Sequence, residues 1–136
     1  MIVWFLAAEL GTYSLAQETV MAEINLVLSA QDLPDTDTVG ETDPYLKLYV
    51  QRAGSWVLAT MTEIQKNNLN PRYAPCVVDV GDGEGSALRI EVWDHDRMGS
   101  DELVGKAELS VSEFLRAGGN VTLSLPGGGR ITVVRE

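Results

Sequence analysis

From Ala22 onward, apolar and polar residues alternate in short runs broken by turn-forming residues. Ile24, Leu26 and Leu28 fall on one face of an extended segment, with Asn25 and Ser29 on the other. That period of two predicts a half-buried strand. Leu46, Leu48 and Val50 repeat the pattern after Pro44, which is tolerated as a first strand residue. Further strands are predicted at about 56–62, 75–80, 88–92, 103–109, 121–125 and 130–134. Between them lie Gly, Pro, Asn and Asp clusters with the residue types that turns require. Ser110 and Glu113 have capping-box spacing, which predicts a short helix near 111–117 that stops at Gly118-Gly119. Eight short strands with regular turn signals predict an all-β fold, an antiparallel sandwich or barrel in a single unit.

In an antiparallel meander, successive loops alternate between the two ends. The loops after the first, third and fifth strands can therefore share one end. These loops are 31–43, 65–72 and 94–102, the most polar stretches of the chain. Asp94 and Asp96 are two residues apart on an extended segment and so project the same way. A turn through Gly99 can return Asp101 or Glu102 toward them. One reading is an acidic, solvated hairpin loop. The other is a cation site, since clustered carboxylates repel one another unless a cation is present. Hard oxygen donors on loops suit Ca²⁺. The sorting of the acidic loops to one end favours a shared Ca²⁺ site.

Composition narrows the remaining classes. The 136 residues include 20 Asp and Glu against 10 Lys and Arg, for a net charge of −10. This argues against nucleic acid as a partner, and against standing attraction to anionic lipid. Cys76 is the single cysteine, so no disulfide forms within the chain. No nucleophile–base pair with a known activation geometry is evident, so no enzyme is expected.

Residues 1–21 stand apart from the alternating region. Ile2–Ala8 is an apolar run too short to span a bilayer. Ser14-Leu15-Ala16 has the small residues of a signal-peptidase site, but no basic residue precedes the run. Two readings stay open, a signal peptide or an extra helix or strand. Asn120-Val121-Thr122 is a glycosylation sequon that matters only in a secreted chain.

Several phrases in this order resemble the C2 domain: Leu33-Pro34, Asp43-Pro44-Tyr45-Leu46-Lys47, Leu69-Asn70-Pro71-Arg72-Tyr73, Trp93-Asp94-His95-Asp96 and Glu102-Leu103-Val104-Gly105. The similarity covers roughly 22–134 and places the domain at 22–136. It implies an eight-stranded antiparallel β-sandwich of Greek-key type, in the type II permutation, with Ca²⁺ and phospholipid bound by loops at one end. Carried over by position, the ligands are Asp37 and Asp43 in the first loop and Asp94, Asp96 and Glu102 in the third. The steps from Asp37 to Asp43 and from Asp96 to Glu102 are both six residues. The family prefers Asp where Glu102 stands, so Asp101 is an alternative ligand. Tyr73 replaces the family's Trp. Val39, Arg97 and Met98 take the places of membrane-touching residues. Lys47 and Arg52 are the only basic residues in or directly after the second strand, where some relatives carry a polybasic patch.

The resemblance implies Ca²⁺-dependent binding to an anionic phospholipid surface. Five carboxylates carrying two Ca²⁺ keep a net charge of only about −1, which removes most of the repulsion. The expected location is cytoplasmic, peripheral to membranes when Ca²⁺ is bound, or secreted if residues 1–16 are a signal peptide. The alternatives are a Ca²⁺-independent domain with a protein partner, or a regulatory fragment of a larger signalling or trafficking protein.

Overall fold

A computed structural model describes residues 23–35, 42–81 and 85–136. Residues 1–21, Asp37, Val39 and Glu41 lie outside the described residues. The chain forms β1 (Glu23–Gln31), β2 (Pro44–Arg52), β3 (Ser55–Met61), β4 (Cys76–Asp79), β5 (Ala87–Asp94), β6 (Glu102–Ser110), α1 (Val111–Arg116), β7 (Asn120–Ser124) and β8 (Arg130–Arg135). Two four-stranded antiparallel sheets result, ordered β4-β1-β8-β7 and β3-β2-β5-β6. This is the expected eight-stranded sandwich. β8 lies between β1 and β7, so the last strand completes the sheet that the first one starts.

The inward faces are those the alternation assigns. Leu26 and Leu28 meet Leu46, Leu48, Leu88, Ile90, Val92, Ile131 and Val133 in one core, all at most 2% exposed. Each such side chain contributes roughly 1.5–3 kcal/mol through burial. Tyr45 is buried as well, although it stands on the other face of β2.

α1 is capped at both ends. The Ser110 Oγ accepts from the Glu113 N–H at 3.3 Å. At the other end the Gly118 and Gly119 N–H groups donate to the Leu115 and Phe114 carbonyls. Gly118 has φ +91°, the left-handed conformation this helix stop requires.

Strand pairing sends three loops to one end of the sandwich. Asp94 closes β5 opposite Pro44, which opens β2, and opposite Glu102, which opens β6. The β3–β4 loop joins them through the Gln65 N–H to the Pro44 carbonyl and the Asn68 N–H to the Thr42 carbonyl, at 3.0 and 3.1 Å. At the opposite end, Glu23 enters β1 beside Asp79, and Arg135 leaves β8 beside Leu26.

Candidate functional site

Asp43 sits where the three loops meet. Its N–H donates to Asp94 Oδ1 at 2.9 Å, and its Oδ1 accepts from the Asn67 N–H at 2.8 Å. Its carbonyl accepts from the His95 N–H at 3.0 Å. Asn67 adopts φ +52°, a conformation that Asn tolerates better than most residues, and this turns its amide toward Asp43. Thr42 beside it is fully buried, with its hydroxyl donating to the Pro34 carbonyl at 3.0 Å.

Asp94 is 3% exposed. Burying a carboxylate is costly unless hydrogen bonds or a cation compensate. Glu102 faces Asp94 across the β5–β6 ladder, where directly opposed side chains share a side of the sheet. Glu102 itself is exposed.

The β5–β6 loop is folded by its own acidic residues. Asp96 Oδ1 accepts from the Met98 N–H at 2.9 Å, a local Asx turn. A Cβ at Gly99 would lie 3.2 Å from Asp96 Oδ2, so glycine lets the chain pass close to that carboxylate. Asp101 is engaged through both carboxylate oxygens. Its Oδ2 accepts from the Tyr45 hydroxyl at 2.5 Å, and its Oδ1 accepts from the Asp96 N–H at 3.0 Å. His95 Nδ1 lies 3.3 Å from the same Oδ1. The Tyr45 hydroxyl above all, with the Asp96 amide and His95, holds the Asp101 carboxyl below the usual carboxylate range. Burial and Asp101 together push the Tyr45 hydroxyl up to about 12.

The described candidates therefore divide. Asp43 is bonded to Asp94, which faces Glu102 across the ladder, whereas Asp96 and Asp101 brace the third loop internally. Among the described residues, neither Asp43 nor Asp96 has a basic side chain within salt-bridge distance. Each accepts a backbone N–H instead, from Asn67 and Met98, and hard carboxylate oxygens are the donors Ca²⁺ prefers. Among the described residues alone, no three His, Cys, Asp or Glu are close enough to hold a metal. Asp37, the remaining sequence candidate, lies outside the described residues. Arg97 and Met98 occupy the tip of the third loop, Met98 94% exposed.

Several contacts were not visible in the alternation. The Tyr45–Asp101 and Asn67–Asp43 bonds join residues far apart in the chain, with no local signature. His95, flanked by Asp94 and Asp96, lies against Asp101. The Asn70-Pro71 turn has a structural role. Asn70 Oδ1 accepts from the Asp32 N–H at 2.9 Å, and the Pro71 carbonyl accepts from the Ala30 N–H at 3.0 Å. The Tyr73 hydroxyl donates to the Pro44 carbonyl at 2.8 Å, tying the middle loop to the start of β2. Lys47 and Arg52 diverge. The Lys47 ammonium lies 4.3 Å over the Trp93 ring, and Arg52 donates to the Asp79 carbonyl at 2.8 Å.

Among the described residues no helix is long and apolar enough to cross a membrane. The sequence model of the C2 domain matches residues 25–125. Synaptotagmin-5 of Arabidopsis thaliana is 32% identical over 90 residues, covering 65% of this chain and 15% of that protein. The chain spans 15–23% of the length of the curated relatives it matches. A C2 domain of plant extended synaptotagmin 1 superposes with a TM-score of 0.68 at 20% identity, over 88% of this chain and 97% of that one. A calcium-bound structure of two C2 domains of extended synaptotagmin 2 gives 0.65 at 22% identity, over 87% and 47%. These two superpositions establish the fold, and the match over 25–125 establishes the family: this chain is a C2 domain, related to those of the synaptotagmins.

Proposed function

We propose that residues 22–136 form a Ca²⁺-dependent membrane-docking domain whose ions are held by Asp37, Asp43, Asp94, Asp96 and Glu102. The observation that carries this reading is the Asp43–Asp94 junction, which unites acidic residues of two loops around a buried carboxylate. The related extended synaptotagmin 2 domains are a calcium-bound structure, which supports the same ion here. When bound, Ca²⁺ supplies charge neutralisation and open coordination positions for phosphate oxygens.

The chain's own residues do the rest. Asp101 is assigned to bracing the loop through Tyr45 and His95, leaving the fifth ligand position to Glu102. Met98 enters the lipid interface from the loop tip, with Val39 as its counterpart on the first loop, and Arg97 pairs with an anionic headgroup. The protein is then cytoplasmic and reaches the membrane surface when Ca²⁺ rises. Sedimentation with anionic vesicles, in Ca²⁺ and in chelator, tests this. Equal binding in both conditions refutes it.

A second reading is a Ca²⁺-independent domain that binds a protein partner. It is favoured by one observation, that the described residues alone group no three metal-ligating side chains closely enough for an ion. Calorimetry that detects no heat of Ca²⁺ binding would select this reading over the first.

A further inference from the structure

The sandwich is open along the side where β3 and β4 lie. Among the described residues each is the outermost strand of its sheet, with no strand paired on its far edge. Between them runs a groove of about 320 Å³, with Val50, Val57, Leu58, Ala59, Val77 and Val78 along its length and the charged Glu23, Arg52 and Asp79 at one end. Val57, Leu58 and Val77 are 46%, 48% and 57% exposed. Edge strands in folded proteins are ordinarily shielded by charge, proline or a covering segment. Here the charges gather at one end, where Arg52 lies 3.5 Å from Asp79 and Glu23 pairs with Asp79 across the ladder.

The same end is where the preceding chain is attached. Glu23 lines the groove and opens β1, so the 22 residues before it arrive there. Those residues contain Ile2-Val3-Trp4-Phe5-Leu6-Ala7-Ala8, part of the longest unbroken apolar run in the chain. Its first residues are β-branched and aromatic, types that suit a pleated, half-buried strand.

We propose that the groove between β3 and β4 is the docking site of the chain's own segment Ile2–Ala8, laid as an extended strand along the free edge of β3. Main-chain hydrogen bonds to that edge would give affinity, and alternate side chains would fill the groove, as in strand addition generally. The dimensions allow it. Fourteen residues separate Ala8 from Glu23 and reach roughly 45 Å when extended. The seven residues of β3 span roughly 23 Å. The segment can therefore run along β3 in either direction. A volume of about 320 Å³ is near the lower limit of small-molecule pockets, so it suits a few apolar side chains better than a free ligand.

The test uses the full chain, its intact mass checked, carrying a nitroxide at Phe5→Cys in a Cys76→Ser background. The expected result is paramagnetic broadening of the Val57, Ala59 and Val77 amides, with those of Val121 and Leu123 on the opposite edge unaffected. Absence of broadening at β3 and β4 overturns the proposal. So does broadening of isotope-labelled, nitroxide-free protein mixed with the spin-labelled chain, which would identify a second copy as the occupant. A Trp4→Asp, Leu6→Asp variant gives an independent measurement. Amide exchange at Val57–Ala59 should accelerate about tenfold or more while exchange in β5 is unchanged. Unchanged exchange at β3 also overturns the proposal.

Discussion

The Asp43 N–H donates to Oδ1 of Asp94 at 2.9 Å, joining positions 51 residues apart. An asparagine oxygen at position 94 can accept the same bond. Asp94→Asn therefore removes a charge while leaving the junction intact. Without Ca²⁺ the variant should melt within a few degrees of the parent chain, or slightly above it. At Ca²⁺ of about 100 times the dissociation constant, the parent should gain about 2.7 kcal/mol and the variant little of it. Calorimetric melting with and without Ca²⁺ measures both. An undiminished gain in the variant refutes the assignment of Asp94 as a ligand.

Tyr45→Phe tests the brace on the third loop. The lost hydrogen bond goes to a charged, partly exposed group, so the cost at neutral pH should be about 1 kcal/mol. The folded-state pKa of Asp101 is lowered. Its stabilisation is thus present above the ordinary carboxylate value of about 3.9, and is lost as pH falls through the lowered value. The gap between parent and variant should narrow as pH falls from about 5 to about 2. Urea midpoints across that range decide it, and a gap independent of pH would count against the Tyr45–Asp101 link.

Met98 is almost wholly exposed, so replacing it should leave folding unchanged. Met98→Asp forfeits at most roughly 1.5–3 kcal/mol of apolar burial in the lipid interface and adds a charge that anionic lipid repels. Vesicle affinity in Ca²⁺ should fall by about tenfold or more. Unaltered affinity would place the membrane contact elsewhere on the domain.

Gly129 anchors the start of the first loop. It has φ +87°, and a Cβ there would lie 2.9 Å from the Asp32 carbonyl oxygen. Next to it, Arg130 Nη1 donates to Asp32 Oδ2 at 2.8 Å. Gly129→Ala meets both an unfavourable dihedral and a backbone clash, so stability should fall by about 1–3 kcal/mol. Chemical denaturation reads the loss directly. A variant as stable as the parent would show that this turn yields freely.

The core faces were legible because burial follows a period of two. Leu46, Leu48, Val50, Leu88, Ile90 and Val92 are buried as alternate residues should be. β3 was less so. Val57 and Leu58 are consecutive, apolar and both exposed, because an edge strand with a register shift opposite Leu48/Tyr49 has no fully buried face. The acidic loop was readable from the spacing of Asp94 and Asp96. The difference between Asp101 and Glu102 was not. It depends on which of them faces Asp94 in the ladder and which meets Tyr45, 56 residues earlier. Such pairings come from tertiary register, which neighbouring residues do not encode.

The entry into β1 and the exit from β8 lie at the end opposite the acidic loops. The nine residues of β1 separate the two ends by roughly 30 Å. A domain joined after Glu136 would therefore start on the side away from a lipid surface touched by Met98. That tether would emerge on the far side, and the domain could dock without threading it past the bilayer.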